Sequence, residues 1–314
     1  MHRFYLPLQE GVEGELTLDE RESHHAATVL RIHKGERVAV LDGNGTEYMC
    51  EAIAIDKKAT RLAVRQQNKI APLPYSITLL QAMTKGRSMD FVIQKATELC
   101  VHRIIPLAAG RSVVQVENPE SKLEKWRAIA IESIKQCGSP WMPIIEPPIT
   151  PREFLTRNEQ FDLPMVASLQ GNTRHPREFI TDHVQERGRL PESLAVWIGP
   201  EGDFSPSEVN DILSAGIHPI TLGQVILRSE TVENDRVGAD LGLHLLEGFL
   251  RRSGNDLDGV HAWEMFRACR SGLLHGRHGG DRHDFNLGRQ LLVAQKCQLG
   301  EFRRKETAQS SPNH

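Results

Sequence analysis

The sequence predicts an α/β protein, in which a small β-rich N-terminal unit precedes a larger unit built on a parallel sheet. Three observations carry that expectation. Up to about residue 70, short stretches alternate with period two and are separated by tight turns. From Ser76 onward, short apolar runs alternate with segments at helical spacing. Between the two textures stands Ala71-Pro72-Leu73-Pro74, whose prolines break ladders and stiffen a connection.

The elements follow in order. Glu36 to Leu41 alternates as a strand, and Asp42-Gly43-Asn44-Gly45 is a hairpin signal, because Gly and Asn tolerate the positive φ of such turns. Met49 to Ile55 and Thr60 to Val64 are two more strands, which together suggest a small barrel or sandwich. Ile77-Thr78-Leu79-Leu80 suits a strand buried on both faces. Met89, Val92, Ile93, Ala96, Leu99 and Cys100 fall on one helical face. Ile104 to Leu107 is a strand, and Asn118-Pro119-Glu120 opens a helix with the stripe Leu123, Trp126, Ala130 and Ile134. Met165 to Ala167, Leu194 to Ile198 and Pro219 to Leu222 are further strands, with a helix over Phe179 to Val184.

Composition narrows the class. The 314 residues are 39% hydrophobic and 25% charged, a balance that can bury a core. Net charge is −3, which argues against a protein that coats nucleic acid non-specifically but leaves room for a local basic patch. The charge is uneven: residues 248–314 carry 11 Lys+Arg against 7 Asp+Glu, so +4, and the rest of the chain is −7. No run of about 18 uncharged apolar residues predicts a membrane helix, and the opening residues lack the apolar core of a signal peptide. The five cysteines are scattered without a C-x-x-C, so a reducing cytoplasm is expected, with Cys100 and Cys137 as buried thiols. His275, His278 and His283 cluster near the end, but a solvated polar tail explains them better than a metal site.

Two loops are placed for chemistry, since ligands of open α/β sheets sit at the carboxyl ends of strands. Gly199-Pro200-Glu201-Gly202-Asp203-Phe204 follows a strand and precedes Ser205-Pro206-Ser207-Glu208, a capping box with proline at N1. Gly223-Gln224-Val225-Ile226-Leu227-Arg228-Ser229-Glu230-Thr231 follows the next strand and sets an apolar pair beside an Arg and a Glu. Either could be a plain connection on its own spacing. No dinucleotide fingerprint, phosphate loop, H-E-x-x-H or nucleophile elbow is present.

Taken together, the residues resemble a known family. Arg3-Phe4-Tyr5, His24-His25 with Val29-Leu30-Arg31, Lys34-Gly35, and Lys85-Gly86-Arg87-Ser88-Met89-Asp90 leading into Gln94-Lys95-Ala96-Thr97-Glu98-Leu99 begin the series. Arg111-Ser112, Gln136-Cys137-Gly138, Gly199-Pro200-Glu201-Gly202, and Leu222-Gly223 with Ile226 to Thr231 complete it. This order is similar to the bacterial 16S ribosomal RNA uridine-N3-methyltransferases of the knotted SPOUT superfamily, across roughly residues 1–246.

The resemblance implies a PUA-like RNA-binding β-barrel over 1–72 and a knotted SPOUT methyltransferase domain over 73–246. The remaining 247–314 lies beyond it, and its Gly/Arg/His-rich stretch Gly272 to Arg289 lacks helical or strand period, so a partly disordered extension with no assigned role is expected. The resemblance also implies S-adenosylmethionine as cofactor, a homodimer, and transfer of methyl to N3 of uridine 1498 in the small subunit's 16S RNA. Such a displacement at a sulfonium needs no metal, and a fixed cation beside uracil O2 and O4 would stabilise the charge that develops there. Arg228 is the expected cation, with Glu230 orienting it or assisting proton loss. Gly199, Pro200, Glu201, Gly202, Leu222, Gly223, Ile226, Leu227 and Ser229 are the expected cofactor contacts. Arg3, Arg31, Lys34, Arg87 and Arg111 are candidates for phosphate contacts and His24 and His25 for base stacking, although solvated or structural roles fit each of them too.

Four departures from the family pattern stand out. Asp203 replaces a usual glycine, Ser139 a usual Arg and Ser229 a usual Thr, and Val232 to Val237 is more charged than expected. They keep open a related methyltransferase acting on another RNA, or an inactive RNA-binding homologue.

Overall fold

A computed structural model describes residues 1–8, 14–84, 87–112, 119–168, 173–200 and 202–221. The first part forms a five-stranded sheet. Its strands are β1 (His2–Tyr5), β2 (Glu15–Thr17), β3 (Arg37–Leu41), β4 (Thr46–Ala54) and β5 (Arg61–Lys69), in the spatial order β1-β3-β4-β5-β2. β3, β4 and β5, the three strands expected from alternation, form an antiparallel meander whose first turn is the expected hairpin, while β1 runs parallel to β3. Alternation puts Tyr48, Cys50 and Ala52 of β4 into a core with Phe4, Val38, Val40 and Leu62.

The turn between β3 and β4 is held by Asp42. Its Oδ1 accepts the N–H groups of Asn44 at 2.7 Å and Thr46 at 2.8 Å. A helical stretch that the alternation pattern gave no hint of lies between β2 and β3. α1 (Glu20–His24) is capped by Asp19, whose side chain accepts Glu22 N–H at 2.8 Å, and it continues as a π-helical segment over His25–Leu30. Arg31 ends it at φ +53.

The second part is a six-stranded, wholly parallel sheet, as the alternation of strand and helix predicts. It comprises β6 (Ser76–Ala82), β7 (Arg103–Leu107), β8 (Ile144–Ile145), β9 (Leu163–Ala167), β10 (Ser193–Ile198) and β11 (His218–Ile220), ordered β11-β9-β10-β6-β7-β8. The described helices here are α2 (Ser88–Glu98), α3 (Pro119–Cys137), α4 (Pro151–Thr156), α5 (Pro176–Arg187) and α6 (Pro206–Ser214).

Apolar clusters lie on both sides of the sheet. Leu80, Ile105, Trp197, Phe204 and Ile212 belong to one, and Tyr75, Ile77, Met165 and Val196 to another. The predicted stripe of α3 packs Trp126 and Ala130 against Met89 and Ile93 of α2. α2 stops two residues short of the predicted Cys100, because that residue adopts φ +58 and cannot continue a right-handed helix. Cys137 is buried as expected and Cys50 is buried too, whereas Cys100, also expected to be buried, is half-buried.

Candidate functional site

Strand order fixes where a ligand belongs. From β6 the chain moves outward to β7 and β8, then returns so that β10 pairs with the other edge of β6. The connections leaving β6 and β10 therefore diverge, and a crevice opens at their carboxyl ends. The glycine loop Gly199–Phe204 lies there, directly after β10.

The loop is shaped by specific contacts. Pro200 O accepts Asp203 N–H at 2.9 Å, which closes a turn. Asp203 takes φ +60, the left-handed region that L side chains avoid, so a glycine is the usual occupant and Asp one of the few tolerated substitutes. Its Oδ1 accepts the N–H of Phe204 at 2.8 Å, and that same oxygen lies 3.1 Å from where a Cβ on Gly199 would be. The carboxylate thus folds back over Gly199 along its own loop. Gly202 is exposed, and a Cβ on it would come no closer than 3.9 Å to a neighbour, the Arg111 Cδ, so its backbone face is open.

The adjacent loop braces this one. β7 is separated from β10 by β6, yet Arg111 Nη1 reaches across to donate to Gly202 O at 2.8 Å. Glu208, in the first turn of α6, ties the same two loops. Its Oε2 accepts the N–H and hydroxyl of Ser205 at 2.8 and 2.7 Å, completing the predicted capping box, while Oε1 accepts Gly110 N–H at 2.8 Å. Burial pushes the Glu208 carboxyl up, but the hydrogen bonds from Gly110 and Ser205 and the nearby Arg111 charge outweigh it and leave the pKa below its ordinary value. The brace is thus ionised at neutral pH.

Buried polar atoms point to a missing partner. Thr84 Oγ1, Ser112 Oγ and Asp203 Oδ2 are buried without a hydrogen bond, and they follow β6, β7 and β10, three adjacent strands. Such groups are normally satisfied, so the crevice suits a polar organic ligand. Among the described residues, no group of three or more His, Cys, Asp and Glu could hold a metal ion.

The expected site residues separate into distinct places. Gly199, Pro200 and Gly202 share the crevice with Arg111. Arg87 is exposed just before the first turn of α2. His24, Arg31 and Lys34 are exposed and His25 half-exposed, all on or just after the α1 and π-helical stretch. Arg3 stands apart: its Nη1 donates to Lys135 O and Gln136 O at 3.4 and 3.5 Å, against the end of α3. Ser139 is buried there and exchanges hydrogen bonds with the backbone of Trp141.

Glu201, Leu222, Gly223, Ile226, Leu227, Arg228, Ser229 and Glu230 lie outside the described residues, as do residues 232–237, the histidines at 275, 278 and 283, and the whole 247–314 extension. The strand and loop patterns gave no sign of Thr84 and Ser112, since an unpaired buried hydroxyl has no sequence signature. The glutamate of the capping box did give a sign of α6, though not of the reach to Gly110.

Comparison with known proteins agrees with this geometry. Residues 71–233 match the model of an RNA methyltransferase domain, and residues 18–62 match that of an RNA methyltransferase PUA domain. A ribosomal RNA small subunit methyltransferase E from Bacillus subtilis is 29% identical over 239 residues, spanning 74% of this chain and 92% of the relative. One of the same name from Synechocystis is 28% identical over 232 residues, spanning 73% and 74%. The Neisseria gonorrhoeae ribosomal RNA small subunit methyltransferase E, solved bound to S-adenosylmethionine, superposes with TM-score 0.66 at 26% identity, covering 77% of this chain and 98% of that one. A Legionella pneumophila protein, solved with the same cofactor, gives TM-score 0.67 at 28% identity, covering 76% and 95%.

Proposed function

The chain belongs to the RNA methyltransferase family whose domain model spans residues 71–233, and from that premise we propose that it methylates N3 of uridine 1498 in the 16S RNA of the small ribosomal subunit, with S-adenosylmethionine as donor. The observation that carries this reading is the braced glycine loop at the β6/β10 crevice, with orphaned polar atoms at the ends of three adjacent strands. S-adenosylmethionine supplies an electrophilic methyl group on a sulfonium.

The chain's own residues then have three tasks. Backbone groups of Gly199 and Gly202, with Pro200, Glu201, Leu222, Gly223 and Ser229, would hold the cofactor, and Ile226 and Leu227 would supply apolar walls. Arg228 would stand beside uracil O2 and O4 and stabilise the charge left when N3 loses its proton, while Glu230 would orient Arg228 or take up that proton. Arg31, Lys34, Arg87 and Arg111 meet phosphates, which position RNA without reading its sequence. Arg111 also holds Gly202, which links RNA contact to the shape of the cofactor loop.

The division into an RNA-binding unit over 1–72, a knotted catalytic unit over 73–246 and an extension belongs to this reading, as do a homodimer and a cytoplasmic location. No helix among the described residues is long and apolar enough to cross a membrane.

The test is transfer of labelled methyl to small-subunit particles lacking the mark, followed by mapping of the modified nucleotide. Wild-type protein labels one uridine at N3. Arg228→Ala lowers kcat by about a hundredfold or more with cofactor affinity little changed, the size seen when a donor to a developing oxyanion is removed. Equal rates for the two proteins, or a mark on another nucleotide, would refute the assignment.

A further inference from the structure

Three sets of contacts join the five-stranded sheet to the parallel sheet's layer, and they converge on the last turn of α3 and the loop 138–142. The first is a buried ion pair: Lys135 Nζ lies 2.9 Å from Glu22 Oε1, with side chains only 7% and 4% exposed. Lys135 also meets Glu132 at 3.2 Å, and Glu132 meets Arg21 at 3.1 Å. Two charges come from α1 and two from α3, and the signs alternate along the row.

Arg3 makes the second set. Its guanidinium lies so close to Gly138, at φ +82, that a Cβ there would stand 2.8 Å from Cζ. In the third, the β3–β4 turn is gripped by the loop. Gly45 N–H donates to Pro140 O and Met142 N–H to Gly43 O, both at 3.0 Å. The Trp141 indole sits where a Cβ on Gly45 would meet Cζ2 at 2.3 Å.

This junction is remote from the crevice. β8 follows the loop at once and runs parallel to the other strands, so the loop lies toward their amino ends. The 19 residues of α3 span about 28 Å between its ends. Nothing at the junction therefore touches the glycine loop. A buried ion pair adds little net stability, because desolvation offsets the Coulomb attraction, but it penalises any arrangement that separates the partners. Stability alone is a weak account of Glu22 and Lys135, and a fixed angle is a stronger one.

We propose that Glu22 and Lys135 are positioning residues for the methyl transfer: they set the angle of the N-terminal sheet on α3, and with it the placement of RNA held by that sheet. The proposal rests on the reading that this sheet binds RNA. The two residues contact neither the cofactor loop nor the expected reacting groups, so their loss acts on RNA capture rather than on cofactor binding.

The test uses the full chain with Glu22→Leu and Lys135→Met combined, which removes both charges and leaves no orphan. The expected result is a wild-type melting profile, cofactor affinity by calorimetry within about twofold, and KM for small-subunit particles raised about tenfold with a smaller change in kcat. A double variant that melts and methylates like wild type overturns the proposal. Should that variant fail to fold, Arg21→Glu at the exposed rim decides. It sets two acids face to face at Glu132 and raises KM by about threefold at low salt, an effect that added salt removes. An unchanged KM for Arg21→Glu would then overturn the proposal. If wild-type protein neither binds nor methylates the particles, the functional assignment fails and takes this proposal with it.

Discussion

Asp203 concentrates several demands in one residue. Its φ of +60 favours glycine, its Oδ1 caps Phe204 N–H at 2.8 Å, and its Oδ2 is buried without a partner. The backbone strain and the cap oppose one another, so the two simplest substitutions separate them. Asp203→Gly loses the cap and relieves the strain, and its unfolding free energy stays within about 0.5 kcal/mol of wild type. Asp203→Ala loses the cap and keeps the strain, and costs about 1–2 kcal/mol. Urea denaturation of the two variants checks the order, and equal losses would show that conformation has no part in it. The acid that the sequence set apart as a departure is folded along its own loop by local geometry.

Elements are held at their ends by a recurrent device. Thr150-Pro151-Arg152-Glu153, His175-Pro176-Arg177-Glu178 and Ser205-Pro206-Ser207-Glu208 each open a helix with a reciprocal capping box and proline at N1. Only the third is legible in the sequence. The first precedes a helix of six residues, too short for an apolar stripe to register, and in the second a histidine stands where Ser, Thr, Asp or Asn is usual.

The amino ends of β9 and β10 are stapled by Asp162. Arg189 donates from both terminal nitrogens at 3.0 Å, and the N–H groups of Glu192 and Ser193 donate at 2.7 and 3.3 Å. The Arg189 hydrogen bonds foremost, against a smaller opposing effect of burial, hold its carboxyl at about 2 rather than the ordinary 3.8. A depressed acid pKa means that the unfolded chain takes up the proton first as pH falls. The staple therefore contributes fully above about pH 4 and is lost as pH falls toward 2. Urea midpoints measured across that range show the loss in wild type, and Asp162→Asn flattens that part of the profile.

Across the whole molecule, the described contacts between the two sheets are ion pairs, hydrogen bonds and the Trp141 indole against the β3–β4 turn. The clusters around Phe4 and Tyr48 and around Leu80 and Trp197 draw on separate residues. Residues 248–314 differ in charge from the rest, and the family models end at residue 233. A chain truncated after Arg252 is accordingly expected to retain its melting profile and its methyl transfer. Loss of either on truncation would assign the extension a part in the fold or the site.

Local chemistry is enough to specify the period-two strands β3 to β5, the buried strands β6, β7, β9 and β10, the apolar stripe of α3 and the capped helix behind the glycine loop. Each rests on residues close together in the chain, where spacing and turn propensity are enough. The remaining features emerge on folding, because they depend on residues far apart in sequence. β1 pairs with β3 from 36 residues away, Arg111 reaches Gly202 across β6, and Glu22 meets Lys135 at a separation of 113. A buried charge or an unpaired hydroxyl has no meaning in sequence until folding removes water from around it and fixes what stands opposite.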